Sequence, residues 1–364
     1  MSCPPRSIVP FFLAGSSVTR IEPLGDGNVN DTWHVVTDTG RQLVLQRLNG
    51  RVFPDPDAIQ QNLSILLRHI HASLSQQDAL FTMPRLIKTT SGRTHILDSD
   101  GDLWRMLSFI NDTSPVNTVS RPAEAREIGR GLAVFHNTVS TLPPAALVDP
   151  LPGFHQTPLY LRHYDAVAVS PADKPDSYCH NFITRRRDDA ALLEQEQARQ
   201  ALGFQIIHGD PKVANFLFSR DGRVVSLIDL DTVKPGLLLH DLGDALRSCC
   251  NPLGEERQAP DEIYFDSNLF RAMLEGYCSR AAHLLTRRDR ELVAASTRLI
   301  SFELGIRFYT DHLQGNTYFK VTAPGQNLFR ARLQFALVRS IEEQYTALQD
   351  ICAELFENNQ ILHN

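Results

Sequence analysis

The chain has 364 residues, of which 42% are hydrophobic and 21% charged, and its net charge is −6. That length suits two domains or lobes, and the composition is that of a soluble globular protein. The acidic balance excludes a general pull toward nucleic acid or an anionic membrane, and the longest apolar runs fall far short of a membrane span.

The N-terminal stretch "MSCPPRSIVPFFLAG" carries one arginine and a short apolar patch broken by prolines. It reads as a leading segment of the mature protein rather than a signal peptide. The first third then reads as a small sheet. In "IEPLGDGNVNDTWHVVTDTGRQLVLQRLN" a strand enters a glycine turn, a second strand runs through Val36, and a third spans Gln42 to Leu48. "DPDAIQQNLSILLRHI" predicts a helix, with Ile59, Leu63, Leu66 and Ile70 at helical spacing behind an Asp-Pro-Asp start signal. "PRLIKT", "THIL" and "DLWRMLSFI" predict further strands, joined by Ser-Gly and Asp-Ser-Asp-Gly turns. Residues 1–112 are thus expected to form one β-rich lobe.

"NDTSPVNTVSRP", polar and carrying two prolines, predicts the hinge between lobes. Residues 113–364 beyond it read as mainly helical. "AREIGRGLAVFHNTV" sets Ile128, Leu132 and Phe135 on one face, and "ELVAASTRLISFELGIRFYTDHL" does so with Leu292, Leu299, Phe302 and Ile306. A last helix is predicted from Asn327 to Leu355. The stretch from Pro143 to Arg187, rich in Pro, Asp and Arg, reads as loops and short helices over a cleft. Two apolar strands, around Phe216–Phe218 and Val224–Ile228, flank an "SRDG" hairpin turn. The six cysteines (Cys3, Cys179, Cys249, Cys250, Cys278, Cys352) show no CxxC spacing. They suit buried free thiols in a reducing cytoplasm, so a cytoplasmic location is expected.

Around that hairpin stand "HGDPKVAN" and "IDLD". Two strands ending side by side would set Asp210 and Asn215 opposite Asp229. Phosphoryl transfer needs such a set: one carboxylate to orient the attacking hydroxyl and accept its proton, and oxygen ligands for the magnesium that bridges the phosphates. Each residue alone would read as a turn residue, a cap or a strand-end solvator. In this order, with the hairpin between them, they point to a phosphotransferase. Upstream, Gly25-x-Gly27 lies between the first and second strands, with Asn30 where a third glycine would complete GxGxxG. Glycines admit phosphate oxygens to backbone N–H groups. Strand–loop–strand is the kinase order, whereas strand–loop–helix would suggest a Rossmann site. A plain polar turn is the alternative.

HxDxxxxN followed by a hairpin and "IDxD" resembles the aminoglycoside phosphotransferase and choline kinase superfamily. "HGDPKVANFLFSRDGRVVSLIDLDTVKPGLLLHDLGDALRS", "GNVNDTW", "LVLQRLN" and "FELGIRFYTDHLQGNTYFKV" are more closely similar to the N-acetylhexosamine 1-kinase family. The resemblance runs from about residue 20 to residue 345. It implies an α+β, two-lobed, protein-kinase-like fold that binds ATP and Mg2+ between its lobes. It further implies Asp210 as catalytic base and Asn215 with Asp229 as metal ligands. Lys212 either reaches the transferred phosphate or is a surface turn lysine. His208 is expected to orient the loop by hydrogen bonding. Gly25, Gly27 and Asn30 would cover the phosphates, with the adenine near the hinge.

The third strand departs from the wider kinase pattern. Where a lysine normally holds the non-transferred phosphates, paired to a helix glutamate, stands Gln46. Arg47 is beside it on the opposite strand face, and the helix offers Asn62 instead of a glutamate. The hexosamine family shares the Gln-Arg pair, so Gln46 and Arg47 are both carried as nucleotide-binding candidates.

For the acceptor, the resemblance nominates Asn28 and Asp31 after the glycine turn, Asp231, Asp244, Arg307 and Tyr318. The alternatives are structural. Asp231 could cap a turn, Asp244 could pair with Arg247, Arg307 could form a helix-face salt bridge, and Tyr318 could pack on Phe319. The expected acceptor is the anomeric hydroxyl of an N-acetylhexosamine, and the expected assembly a monomer or weak homo-oligomer. A second reading substitutes an aminoglycoside or choline-like alcohol. Asp241 and Asp244 hint at the former, while no Trp/Tyr cluster suggests the latter. A third reading is a non-catalytic binding protein of kinase fold. His136 and His155, lacking HxxxH or Cys/His company, read as core or loop residues, and "TRRRDD" as a solvated face.

Overall fold

Antiparallel pairing and side-chain alternation divide the N-terminal sheet into an apolar face and a polar one. The computed structural model describes residues 6–13, 15–25, 29–50, 52–53, 55–74, 78, 80–168, 176–255 and 259–361. Strands β1 (Val18–Pro23), β2 (Asp31–Thr37) and β3 (Gln42–Arg47) form a meander. Helix α1 (Pro56–Ser73) follows, then β4 (Leu86–Ile87), β5 (Ile96–Leu97) and β6 (Leu103–Ser108). The strand order is β1-β2-β3-β6-β4, with β5 also paired to β6. Trp33, Val35, Leu43, Leu45, Trp104 and Met106 share one face and pack under Ile8, Val9, Phe12 and Leu13 of the leading segment. The register places Thr32, Gln46 and Arg105 side by side on the other face.

Asp55 starts α1 by accepting the Ala58 N–H at 2.9 Å, with Pro56 as first helical residue. Ile59, Leu63, Leu66 and Ile70 are buried as the periodicity predicts. Asn62, where a kinase glutamate would face the sheet, turns instead to the C-terminal region. Its amide donates to Val148 O and Val233 O and accepts from Val148 N.

The predicted hinge contains a short strand, β7 (Thr113–Pro115). The C-terminal region then runs α2 (Pro122–Val139), α3 (Thr157–Ala168), α4 (Ser177–Thr184), α5 (Leu192–Ala198), β8 (Gln205–Ile207), β9 (Phe216–Ser219), β10 (Val224–Leu227), β11 (Lys234–Gly236) and α6 (Leu238–Cys249). Helices α7 (Ser267–Ala281), α8 (Arg287–Leu313), α9 (Gln326–Glu343) and α10 (Tyr345–Ile361) complete it. Strand β7 pairs with β9, itself paired to β10, and β8 pairs with β11. The single last helix expected from the sequence is two. The break falls at Gln344, whose side-chain amide donates to Phe265 O and Ser340 O. No Gly or Pro marks it, so periodicity alone ran through. The stretch 143–187 supplies α3 and α4. Among the described residues the five cysteines are buried and unbridged, and no helix is long and apolar enough to cross a membrane.

Helices α2 and α7 meet backbone to backbone at Gly129 and Gly276. A Cβ on Gly129 would stand 1.9 Å from Met273 O, and one on Gly276 2.0 Å from Arg126 O. Either helix must therefore shift to admit a methyl group. Gly129→Ala is expected to destabilise the protein by about 1–3 kcal/mol, read as a lower urea midpoint at unchanged m-value. Gly50→Ala, at a site with open space around it, should stay within about 0.5 kcal/mol of wild type.

Candidate active site

Strand β8 delivers the chain into His208, Gly209 and Asp210. The Asp241 carboxylate on α6 fixes this turn, accepting the His208 N–H at 2.7 Å and the Gly209 N–H at 2.8 Å. His136 on α2 adds a third contact to Asp241 at 2.9 Å. Burial pushes the Asp241 carboxyl up, but these partners outweigh it and hold it below the usual carboxylate range. Gly209 has φ +86°, and a Cβ there would lie 2.6 Å from Thr232 O, so only glycine fits. His208 is fully buried. Its Nε2 lies 3.0 Å from Ile228 O and its Nδ1 faces the Asp210 N–H. One nitrogen donates and the other accepts, so the ring is neutral, and burial lowers its pKa accordingly. His208 therefore orients the loop, as expected.

Asp210 projects from this support. Lys212 Nζ lies 2.6 Å from its Oδ2, and the Asn215 amide donates to Asp210 O at 2.7 Å. Burial raises the Asp210 carboxyl, but Lys212 foremost, with Arg247, outweighs it and holds it below the usual carboxylate range. Ile228 N donates to Asn215 O at 2.9 Å, which fastens the two arms of the β9–β10 hairpin at their open end. Asp229 follows in the left-handed region at φ 65°, an unusual conformation for a non-glycine residue. Its carboxyl is pushed up to about 6 by burial and by the neighbouring Asp231 and Asp210 carboxylates, against the pull of Lys212 and Arg105. This surplus of negative charge is one that a cation would relieve. Among the described residues no three carboxylate, imidazole or thiolate groups converge as a self-sufficient metal cage.

Asp231 closes the cleft from below. Its Oδ1 is 2.6 Å from Arg105 Nη2 and its Oδ2 accepts from the Asn30 amide at 2.6 Å. Asn30 in turn accepts the Asn49 N–H. Gln46 Oε1 receives Arg105 Nε and Nη2 at 2.9 and 2.8 Å. Arg105 thus stands beside Gln46 on the same face of the sheet, and sequence reasoning overlooked it. The signal was a charged residue inside the apolar run "LWRML". Arg47 and Asp31 lie on the other strand face. They pair with each other, with Arg47 reaching Asp102 and Asp31 reaching Lys320. The fold therefore separates them from Gln46. Gly25 has φ +72° at the turn after β1, whereas Gly27 and Asn28 lie outside the described residues.

Arg307 and Tyr318, both nominated for the acceptor, meet in an aromatic cluster whose other members the sequence did not suggest. The Arg307 guanidinium sits 4.9–5.8 Å from the rings of Phe154, Tyr160, Tyr318 and Phe319. It has no hydrogen bond or ion pair among the described residues, so the alternative of a helix-face salt bridge is not met. Asp311 shapes the loop beneath by accepting the N–H groups of Thr317, Tyr318 and Phe319. Asp244 Oδ1 pairs with Arg247 at 2.7 Å, while its buried Oδ2 has no hydrogen-bond partner. Two of the three arginines of the "TRRRDD" run form ion pairs, Arg186 with Glu342, partly buried, and Arg187 with Asp165 at the surface.

A model of the phosphotransferase enzyme family matches residues 20–280. The chain belongs to that family. The fold of this phosphotransferase is shared with solved kinases of low identity. One is a microcompartment-associated aminopropanol kinase (TM-score 0.64, 18% identity, 92% of this chain and 94% of that one). Another is an aminoglycoside phosphotransferase from Alicyclobacillus acidocaldarius (0.58, 16%, 99% and 97%). A third is the amicoumacin kinase hAmiN, solved with AMP-PNP, Ca2+ and Ami (0.56, 13%, 89% and 88%). The kinase-like fold, with its β-sheet N-terminal region and helical C-terminal region, is therefore as expected, and the chain is a kinase-like phosphotransferase of small molecules.

His155 ties the phosphotransferase's loop to its long helix. Its Nε2 is 2.7 Å from Gly209 O and its Nδ1 3.1 Å from Glu303 Oε1 on α8. Both partners only accept, so the ring must be an imidazolium to satisfy them. Burial lowers its pKa, but the Glu303 contact, Asp244 and Gly209 O outweigh it and raise the pKa above the ordinary value. A raised folded-state pKa stabilises the fold fully below the unfolded value of about 6.5. That contribution is lost as pH rises through the folded-state pKa. The stability gap between wild type and His155→Gln, measured by urea denaturation, is therefore expected to shrink from pH 6 toward alkaline pH.

Proposed function

We propose that this phosphotransferase uses ATP and Mg2+ to phosphorylate the anomeric hydroxyl of an N-acetylhexosamine, giving the sugar 1-phosphate. The observation that carries the kinase reading is the convergence of Asp210, Lys212, Asn215 and Asp229 at the open end of one hairpin. Asp210, kept ionised by Lys212, accepts the proton as the sugar hydroxyl attacks the γ-phosphate in line. Lys212 then faces the oxygens of the phosphoryl group in flight. Its pKa is lowered by burial and raised by Asp210 and Asp229, which prevail, so it stays charged. Asn215 and Asp229 would hold the magnesium ion, which supplies charge neutralisation at the phosphates. Intact groups in all these places speak against a binding protein without activity. The residues of the N-terminal region and the 109–112 connector bound the nucleotide side of the cleft in this reading.

The acceptor reading rests on Arg307. The four rings around it form the box that would hold a cationic acceptor, but the protein's own guanidinium already fills it. A choline-like or polyamine acceptor would be repelled there. A neutral sugar gains from the same wall, with its C–H faces on the Tyr318 ring and its amide and hydroxyl oxygens on Arg307. The acidic hint toward aminoglycosides also weakens. Asp241 is sealed behind the loop and Asp244 is engaged by Arg247.

Incubation with Mg-ATP and a panel of free sugars, amino-cyclitols and amino alcohols, followed by phosphorus NMR, tests the acceptor. An anomeric phosphate from the N-acetylhexosamines is expected, and turnover confined to amino alcohols or amino-cyclitols would overturn the reading. Asp210→Asn should lower kcat by about 10²–10⁴-fold while the protein remains folded. Arg307→Leu should raise the sugar KM by about 10- to 100-fold and leave the ATP KM near wild type.

A further inference from the structure

The cleft face of the N-terminal sheet lacks the lysine that kinases aim at the non-transferred phosphates, and Gln46 stands in its place. Its side chain is not idle. Its Oε1 takes two hydrogens from Arg105 and so sets the plane of that guanidinium. Arg105 is directly cross-strand from Gln46, on β6, and faces the same way. Asp231, across the cleft, fixes a second point at 2.6 Å. Nε and Nη2 are thereby used. Nη1 is buried and has no hydrogen-bond partner among the described residues, and the side chain as a whole is only 2% exposed. A dry, unpaired guanidinium donor is costly to leave in a folded protein. Protein groups could have satisfied it, as they satisfy the other two nitrogens. The donor is left unpaired, in a guanidinium plane that Gln46 and Asp231 fix.

We infer that Arg105 is the phosphate-binding cation of this enzyme, its Nη1 edge donating to a non-transferred phosphate oxygen of the nucleotide. This rests on the ATP-dependent reading above. The charge has moved from the third strand to the neighbouring β6, and Gln46 has become its holder. Asp231 takes the part of the helix glutamate, which explains why Asn62 on α1 is free to bind the C-terminal backbone. Asn30 covers the pair by donating to Asp231 Oδ2. Entry of a phosphate moves Asn30 aside and exchanges a neutral contact for a charge-assisted one. A guanidinium suits this role because it can serve Gln46, Asp231 and the phosphate at once, which an ammonium on a flexible stem does less well.

The test compares ADP with adenosine by calorimetric titration, since only ADP carries the phosphates. Wild type is expected to prefer ADP strongly. If it shows no preference, the ATP-dependent reading itself fails, separately from this inference. In Arg105→Met the ADP affinity should fall by about 10- to 100-fold while adenosine binding stays near wild type, the loss expected for one charged hydrogen bond. Retained adenosine binding also reports that the cleft is folded. An unchanged preference for ADP, even with lower stability, would make Arg105 a strut between lobes and overturn the inference. Should Arg105→Met fail to fold, Gln46→Glu is nearly isosteric and keeps both hydrogen bonds to Arg105. Its added negative charge beside the phosphate should lower the ADP preference at least about tenfold, and no change would equally overturn the inference.

Discussion

The buried carboxylate of Asp241 is the contact on which the rest of the site depends. It receives two successive backbone N–H groups from the loop that presents Asp210, and a third hydrogen bond from His136. Three donors on one carboxylate in a dry environment fix position far better than a single bond could. Helix α6, which carries Asp241, also carries Asp244 and Arg247, so the same rigid element sets the loop and part of the cleft floor. From the other side, His155 holds the Gly209 carbonyl and ties it to α8, where Glu303 and Arg307 stand one helical turn apart. The loop is thus suspended between two helices, and Asp210 inherits their rigidity.

The cleft is organised by a second principle, the relay of charge across it. Lys212 answers Asp210, Arg105 answers Asp231, and Arg247 answers Asp244. Two of the pairs leave an atom unspent, the buried Arg105 Nη1 and Asp244 Oδ2, and beside them Asp229 is raised by its carboxylate neighbours. Buried ion pairs are poor sources of net stability. In the function proposed above, their incomplete satisfaction marks the places where a ligand with phosphates and hydroxyls would complete the network.

What the sequence disclosed and what it hid follow from separation along the chain. Asp210, Asn215 and Asp229 were legible because a short turn and a hairpin join them, so local spacing carries the geometry. The alternation of the N-terminal strands and the face of α1 were legible for the same reason. Arg105 with Gln46, 59 residues apart, and His136 with Asp241, 105 apart, had no local signature. His155 looked like a loop residue because Glu303 and Gly209 come to it only in three dimensions. The box around Arg307 gathers rings from three separate segments, so no aromatic cluster was visible. The break at Gln344 is made by a side-chain amide reaching Phe265, which leaves no helix-stop residue to read.

The pairing of β7 with β9 has a mechanical side. Thr113 is laced to Ser219 and Pro115 to Leu217, so the connector between lobes is anchored at its far end to the hairpin that follows Asn215. Asn30 and Arg105 meet Asp231 at the other end of the sheet, and Asn62 meets Val148 and Val233 from α1. The N-terminal sheet is therefore braced against the C-terminal region at several points, and the hairpin that follows Asn215 is clasped from both sides.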